Sequence, residues 1–112
     1  MERMRVVRAS EARVFHEGPE ECREYFVTGR LTFGTSTLEP GEVGAVDPGH
    51  PSSDEVFFVC RGAVNLRNPI DDSRVTLREG DAAVVPSGVA HELENISDVR
   101  AVVSWSAAPS PG

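Results

Sequence analysis

The sequence predicts an all-β domain closed into a barrel, and three observations carry that expectation. Nine short apolar or alternating stretches follow one another from Cys22 to Trp105. Between them stand EPGE, DPGHPSS, CRG, NPIDD, REGD and PSG, all turn chemistry built on Pro, Gly and Asx residues. The third observation is an internal echo: Leu38-Glu-Pro-Gly41-Glu and Leu77-Arg-Glu-Gly80-Asp each end a strand, turn and start an acidic strand. A histidine follows each glycine, His50 after nine residues and His91 after eleven. Two similar halves, each delivering a histidine, fit a barrel of two interleaved hairpin sets.

The elements follow in order. MRVVR (4–8) has strand composition, and Ser10 can cap a short turn through EARVF that Gly18 and Pro19 close. The strand candidates are then 22–27, 31–38, 42–46, 55–60, 63–67, 74–77, 81–86, 89–95 and 99–105. SAAPSPG reads as a frayed tail. The organisation expected is an N-terminal strand-and-turn extension over 1–30, a barrel over 31–105 and a flexible tail over 106–112. At 112 residues this is one domain.

The bulk properties exclude several partners. A formal net charge of −7 without a basic cluster argues against nucleic acid and against an anionic membrane surface. No apolar run has the length of a membrane span. The charged N-terminus lacks the apolar stretch of a signal peptide, and two cysteines make no disulfide framework, so a cytoplasmic setting is expected.

The period of two over VAHELEN (89–95) puts Val89, His91, Leu93 and Asn95 inside and Ala90, Glu92 and Glu94 outside. An imidazole between aliphatic side chains must find a partner, since an unpaired buried polar group costs about 1–3 kcal/mol. A backbone carbonyl would satisfy it; so would a metal. On strand 55–60, Glu55 shares a face with Phe57 and Val59, and a buried carboxylate needs a cation. That cation is an arginine such as Arg30 or Arg67, or a metal ion. His50 lies in the loop DPGHPSSD, from which it either returns to the same cavity or faces water. Asp47 is a possible replacement ligand. Asp54 and Cys60 fall on the opposite face from Glu55, and Cys22 and His16 have no motif.

The spacing Gly80, five residues, Pro86, one residue, Gly88, two residues, His91, three residues, Asn95 resembles the second motif of the cupin superfamily. Glu55-VFFVCR-Gly62, with His50 preceding Glu55 by four intervening residues, resembles the later part of the first motif. The first motif histidine falls on Pro48, and its leading glycine falls on Glu42, one residue after Gly41. The resemblance covers about residues 31 to 105. It implies a double-stranded β-helix, or jelly-roll, cupin barrel of the small single-domain kind. It also implies a divalent metal (Fe, Mn, Ni or Zn) on His50, Glu55 and His91, with Phe57, Val59 and Leu93 lining the pocket. Dioxygenase, isomerase, lyase or cyclase chemistry on a small oxygen-rich molecule then follows; the alternative is a non-catalytic or metal-free binding protein. No general base is visible. Strand 55–60 is apolar on both faces, so a partner subunit or a second sheet should cover it, and a homodimer is expected, aided by the N-terminal MRVVR.

Overall fold

The computed structural model describes residues 3–111. After a 3₁₀ turn at Ala9–Glu11 come nine strands: β1 Arg13–Glu17, β2 Glu20–Val27, β3 Thr32–Leu38, β4 Asp54–Arg61, β5 Ala63–Arg67, β6 Arg74–Arg78, β7 Ala82–Val85, β8 Glu92–Asn95 and β9 Ala101–Ala108. They form a six-stranded sheet of order β1-β2-β3-β9-β4-β7 and a three-stranded sheet of order β6-β5-β8. Every pairing is antiparallel. Strands close in space but distant in sequence, such as β3 beside β9 and β9 beside β4, make this a jelly-roll double-stranded β-helix. Among the described residues no helix is long and apolar enough to cross a membrane.

The core lies between the two sheets and follows from alternation. In β3, Thr32, Gly34, Ser36 and Leu38 face inward; in β4, Glu55, Phe57 and Val59 do. Phe57, Val59, Val64, Leu66, Leu77, Val85, Leu93 and Val103 make up most of the buried cluster. Full burial of such a side chain contributes about 1.5–3 kcal/mol, so this stripe carries much of the stability. Asn95 is the most deeply buried polar residue among the described residues, 1% exposed. Its amide donates to the carbonyls of Leu38 (3.0 Å) and Val99 (2.8 Å), and its carbonyl accepts from the Ser97 backbone and hydroxyl. It ties the β8–β9 turn to the end of β3.

Several local expectations are corrected. MRVVR forms no strand; Met4 and Val6 are exposed. The turn over EARVF shrinks to Ala9–Glu11, held by Glu11 Oε1 accepting from the Arg8 backbone, and Arg13–Glu17 becomes an edge strand on β2. Residues 42–46 form no continuous strand. Gly41, Gly44 and Asp47 donate in turn to the carbonyls of Asn95, Leu93 and His91. Three residues of one chain thus oppose two of the other at each step, a bulge repeated twice. Ala90 is buried rather than outward, because residues 86–90 turn and β8 starts only at Glu92. The expected frayed tail is tied down: β9 runs on through Ala108, Ser53 Oγ donates to the Pro109 carbonyl (2.5 Å), and the Ser110 and Thr32 hydroxyls are 2.8 Å apart.

Candidate metal centre

Two loops meet at one end of the barrel. The Asp47 backbone N–H donates to the His91 carbonyl (2.8 Å), the His91 N–H to the Asp47 carbonyl (2.9 Å), and the Gly88 N–H to the His50 carbonyl (2.8 Å). Gly49 permits the approach. It adopts φ +95°, and a Cβ there would stand 2.8 Å from Gly88 C and Val89 O. The Asp47 Oδ1 accepts from the Gly49 N–H (2.8 Å), which leaves Oδ2 for the cavity. β4 supplies Glu55, its second residue, from the opposite sheet.

The structure brings His50, Glu55 and His91 together, with Asp47, the possible replacement ligand, beside them. Glu55 Oε1 is 3.1 Å from His91 Nε2 and 3.6 Å from His50 Nε2; Asp47 Oδ2 is 3.6 Å from His50 Nε2 and 3.7 Å from His91 Nε2. Ligands at about 2.1 Å from one ion stand roughly 3.0 Å apart when cis in an octahedron and roughly 3.4 Å apart in a tetrahedron. The separations from Glu55 and Asp47 to the two histidines, 3.1 to 3.7 Å, lie in that range. Arg67, one of the two arginines considered for Glu55, pairs instead with Glu92 and Asp72. Arg30 makes no ion pair with Glu55 among the described residues.

The proton arrangement is decisive. The His91 ring is 5% exposed, and its Nδ1 is 3.0 Å from the Val89 carbonyl. A carbonyl only accepts, so Nδ1 carries a hydrogen, and Nε2 turns to the cavity free to take either a proton or a metal ion. Facing it is Glu55 Oε1, a buried oxygen with no hydrogen-bond donor. Lone pair against lone pair is unfavourable unless a proton or a metal ion lies between. Phe57 packs edge-on against the His91 ring, centroids 5.4 Å apart, and fixes its plane.

These atoms open into a cavity of about 180 Å³. Phe57 and Leu93 line it, as do Trp105 and Ala107. Val59 is corrected: it lies two residues deeper along β4, wholly enclosed in the core. Sequence reasoning missed the facing wall, Glu17, Glu20 and Cys22 from the β1–β2 hairpin. The Ser36 hydroxyl and the Cys22 thiol donate to Glu20 Oε2, and the Trp105 indole N–H donates to Ser36 Oγ (3.0 Å). Gly44 leaves room for the carboxylate, since a Cβ there would be 2.1 Å from Glu20 Oε1. No spacing in the sequence signals this wall, which depends on the first hairpin pairing with β3 and extending the larger sheet. Burial pushes the Cys22 thiol up to about 12, so it stays protonated and is a poor ligand.

Burial raises the Glu20 carboxyl above its ordinary range; burial, then the charges of Asp47 and Glu55, raise Glu17. For His91 burial opposes the charge, but the Glu55 carboxylate, the Val89 carbonyl and Asp47 outweigh it, and the net direction is up. All three groups have a folded pKa above the unfolded one, 4.5 for the glutamates and 6.5 for His91. Their stabilisation is therefore complete below those values and is lost as pH rises through the folded ones. The exposed Asp71 and Asp72 shift downward from 3.8 and act only below this range. The metal-free protein should lose thermal stability between about pH 5 and about pH 8, measured by calorimetry with a chelator present. A melting temperature that rises steadily over that range would contradict the assignment.

The fold and the site now meet the comparisons. The Cupin domain family matches residues 34–106. The chain is a cupin. A curated relative, Protein SchB of Streptomyces halstedii, is 32% identical over 76 residues, 68% of this chain and 53% of the relative. This cupin thus spans about half the length of the curated relative it matches. Among solved structures, a conserved protein with a double-stranded β-helix domain from Klebsiella pneumoniae superposes with a TM-score of 0.81 at 18% identity, covering 96% of this chain and 92% of that one. A predicted oxalate decarboxylase from Thermotoga maritima superposes with a TM-score of 0.73 at 18% identity, covering 93% and 98%. At these identities the structural likeness speaks for the cupin fold. The group Asp47, His50 and Glu55, with donor atoms all within 4.8 Å of one another, could hold an ion in this cupin.

Proposed function

We propose that this cupin binds one divalent first-row transition-metal ion through His50, Glu55 and His91, with Asp47 as a fourth donor, and acts on a small oxygen-bearing organic molecule in the adjoining cavity. The observation that carries the reading is Glu55 Oε1, buried without a hydrogen-bond partner and 3.1 Å from Nε2 of His91. Two imidazoles and two carboxylates are the donor set of Fe, Mn, Ni or Zn. Asp47 takes the part that Pro48 cannot play, from one residue earlier, because the Asp47–Gly49 turn aims Oδ2 inward. When bound, the ion supplies Lewis acidity to an oxygen of the substrate. The protein's own contribution is orientation: Val89 holds the His91 Nδ1, Phe57 its ring plane, and Trp105 and Leu93 give the cavity apolar walls. Dioxygenase, isomerase, lyase and cyclase chemistry all remain open to such a centre. Elemental analysis of protein purified without chelator should find one transition-metal ion per chain. Persistent absence of metal, with none taken up on addition, would leave a metal-free binding protein whose buried pair shares a proton.

We also propose a homodimer through the outer face of β4 and β7. Val56, Phe58 and Val84 are 43%, 41% and 61% exposed and adjoin through the Val56–Val84 register. A second copy covering this face would remove a contiguous apolar patch from water. Light scattering should give about twice 12.1 kDa; a 12.1 kDa particle throughout the micromolar range would refute the dimer.

A further inference from the structure

We propose that the cavity selects an uncharged, hydroxyl-bearing organic molecule and rejects a carboxylate of similar size. The inference rests on the metal-centre reading and narrows it. It begins with charge. The cavity lining carries six carboxylates and two imidazoles and, among the described residues, no arginine; the sequence has no lysine at all. Two of the six are already neutralised outside the cavity: Arg13 holds Glu24 (3.1 Å) and Arg67 holds Glu92 (2.6 Å). Four remain. Asp47 and Glu55 belong to the metal centre, and one divalent ion balances them. Glu17 and Glu20 face that centre from the opposite wall and form no ion pair with an arginine among the described residues.

A carboxylate entering this space meets one balanced ion and two further negative groups, Glu20 buried and Glu17 at the exposed rim, and charge repulsion opposes it. Any proton taken up by Glu20 makes that wall neutral, never cationic, so no positive group is left over for a second anion. A hydroxyl group suits the wall instead. Its hydrogen can be donated to Glu20, whose Oε2 already accepts from Ser36 and Cys22 and whose orientation is fixed through the Trp105–Ser36 bond. The volume of about 180 Å³ suits one ring, since a cavity of about 150 Å³ holds a benzene-sized molecule. Glu17 and Glu20 lie before residue 34, outside the segment that matches the Cupin domain family. The wall therefore lies in the N-terminal hairpin, outside the two motifs that supply the metal centre.

Trp105 supplies the assay. It is the chain's one tryptophan and lines the cavity, so its indole N–H gives a single reporter resonance in a ¹⁵N-labelled sample. Catechol serves as the neutral diol probe and oxalate as the dianion, each titrated into the protein with and without Zn²⁺. Zinc content is measured in every sample. Catechol should shift the Trp105 signal at a concentration at least about tenfold below that needed for oxalate. In Glu17→Gln/Glu20→Gln the gap should close to within about threefold, with zinc content as in the wild type. Glu17→Gln alone, at an exposed position, should narrow it part-way and guards against misfolding of the double variant. Equal binding of oxalate and catechol by the wild type would overturn the proposal. So would a gap that persists in both variants, or no binding of either probe. Failure of zinc to load would count against the metal reading alone, because the zinc-free titration still compares the two probes.

Discussion

Replacing His91 with alanine should lower transition-metal affinity on the order of a hundredfold or more, since it removes one of a few protein donors from a site assembled by the fold. The effect should exceed that of Asp47→Asn, because His91 is enclosed and fixed by Val89 and Phe57 while Asp47 is only half-buried. The same substitution removes the imidazole that pairs with Glu55 and leaves that buried carboxylate without its partner. Without metal, His91→Ala should therefore cost more than the cavity it leaves, about 3 kcal/mol or more. Competitive titration with a chromophoric chelator measures the affinity, and calorimetry the stability. Equal affinity in the variant and the wild type would mean that His91 is only a packed core residue.

Asn95→Ala should be the most destabilising single change outside the site. The residue is 1% exposed and makes four hydrogen bonds. Truncation leaves the Leu38 carbonyl and the turn at Ser97 without their partner, and each buried group so stranded costs about 1–3 kcal/mol. A total of about 3 kcal/mol or more is expected, equivalent to a melting point lower by about 10 °C or more for a domain of this size. Urea denaturation should show a lower midpoint with an unchanged slope. A loss below about 0.5 kcal/mol would show that water replaces the amide.

Much of the barrel is legible in the sequence because strand alternation and turn chemistry agree there. β3 and β4 bury every second residue, and Gly62, Gly80 and Gly88 sit at the positive-φ turns between strands. What escapes is structure set by long-range pairing. β1 buries almost nothing, so RVFHE carries no alternation to read; β2 alone makes it a strand. Residues 42–46 alternate well enough for a strand, but repeated bulges against β8 prevent continuous pairing. At the site, spacing points to His50, Glu55 and His91, while Asp47 enters because a glycine at φ +95° turns the loop inward, which spacing does not encode. Glu17 and Glu20 are further still from view, since nothing local says that the first hairpin pairs with β3 and turns these residues toward the cavity.

The central claim is that one ion joins the two motifs. Crystals grown with Zn²⁺ and measured across the zinc absorption edge test it most directly. The account predicts one strong anomalous peak per chain, about 2.0–2.2 Å from Nε2 of His50, Nε2 of His91 and Oε1 of Glu55, with Asp47 Oδ2 turned toward it. A peak elsewhere on the surface, or none here while the His91–Glu55 pair stays closed, would contradict it.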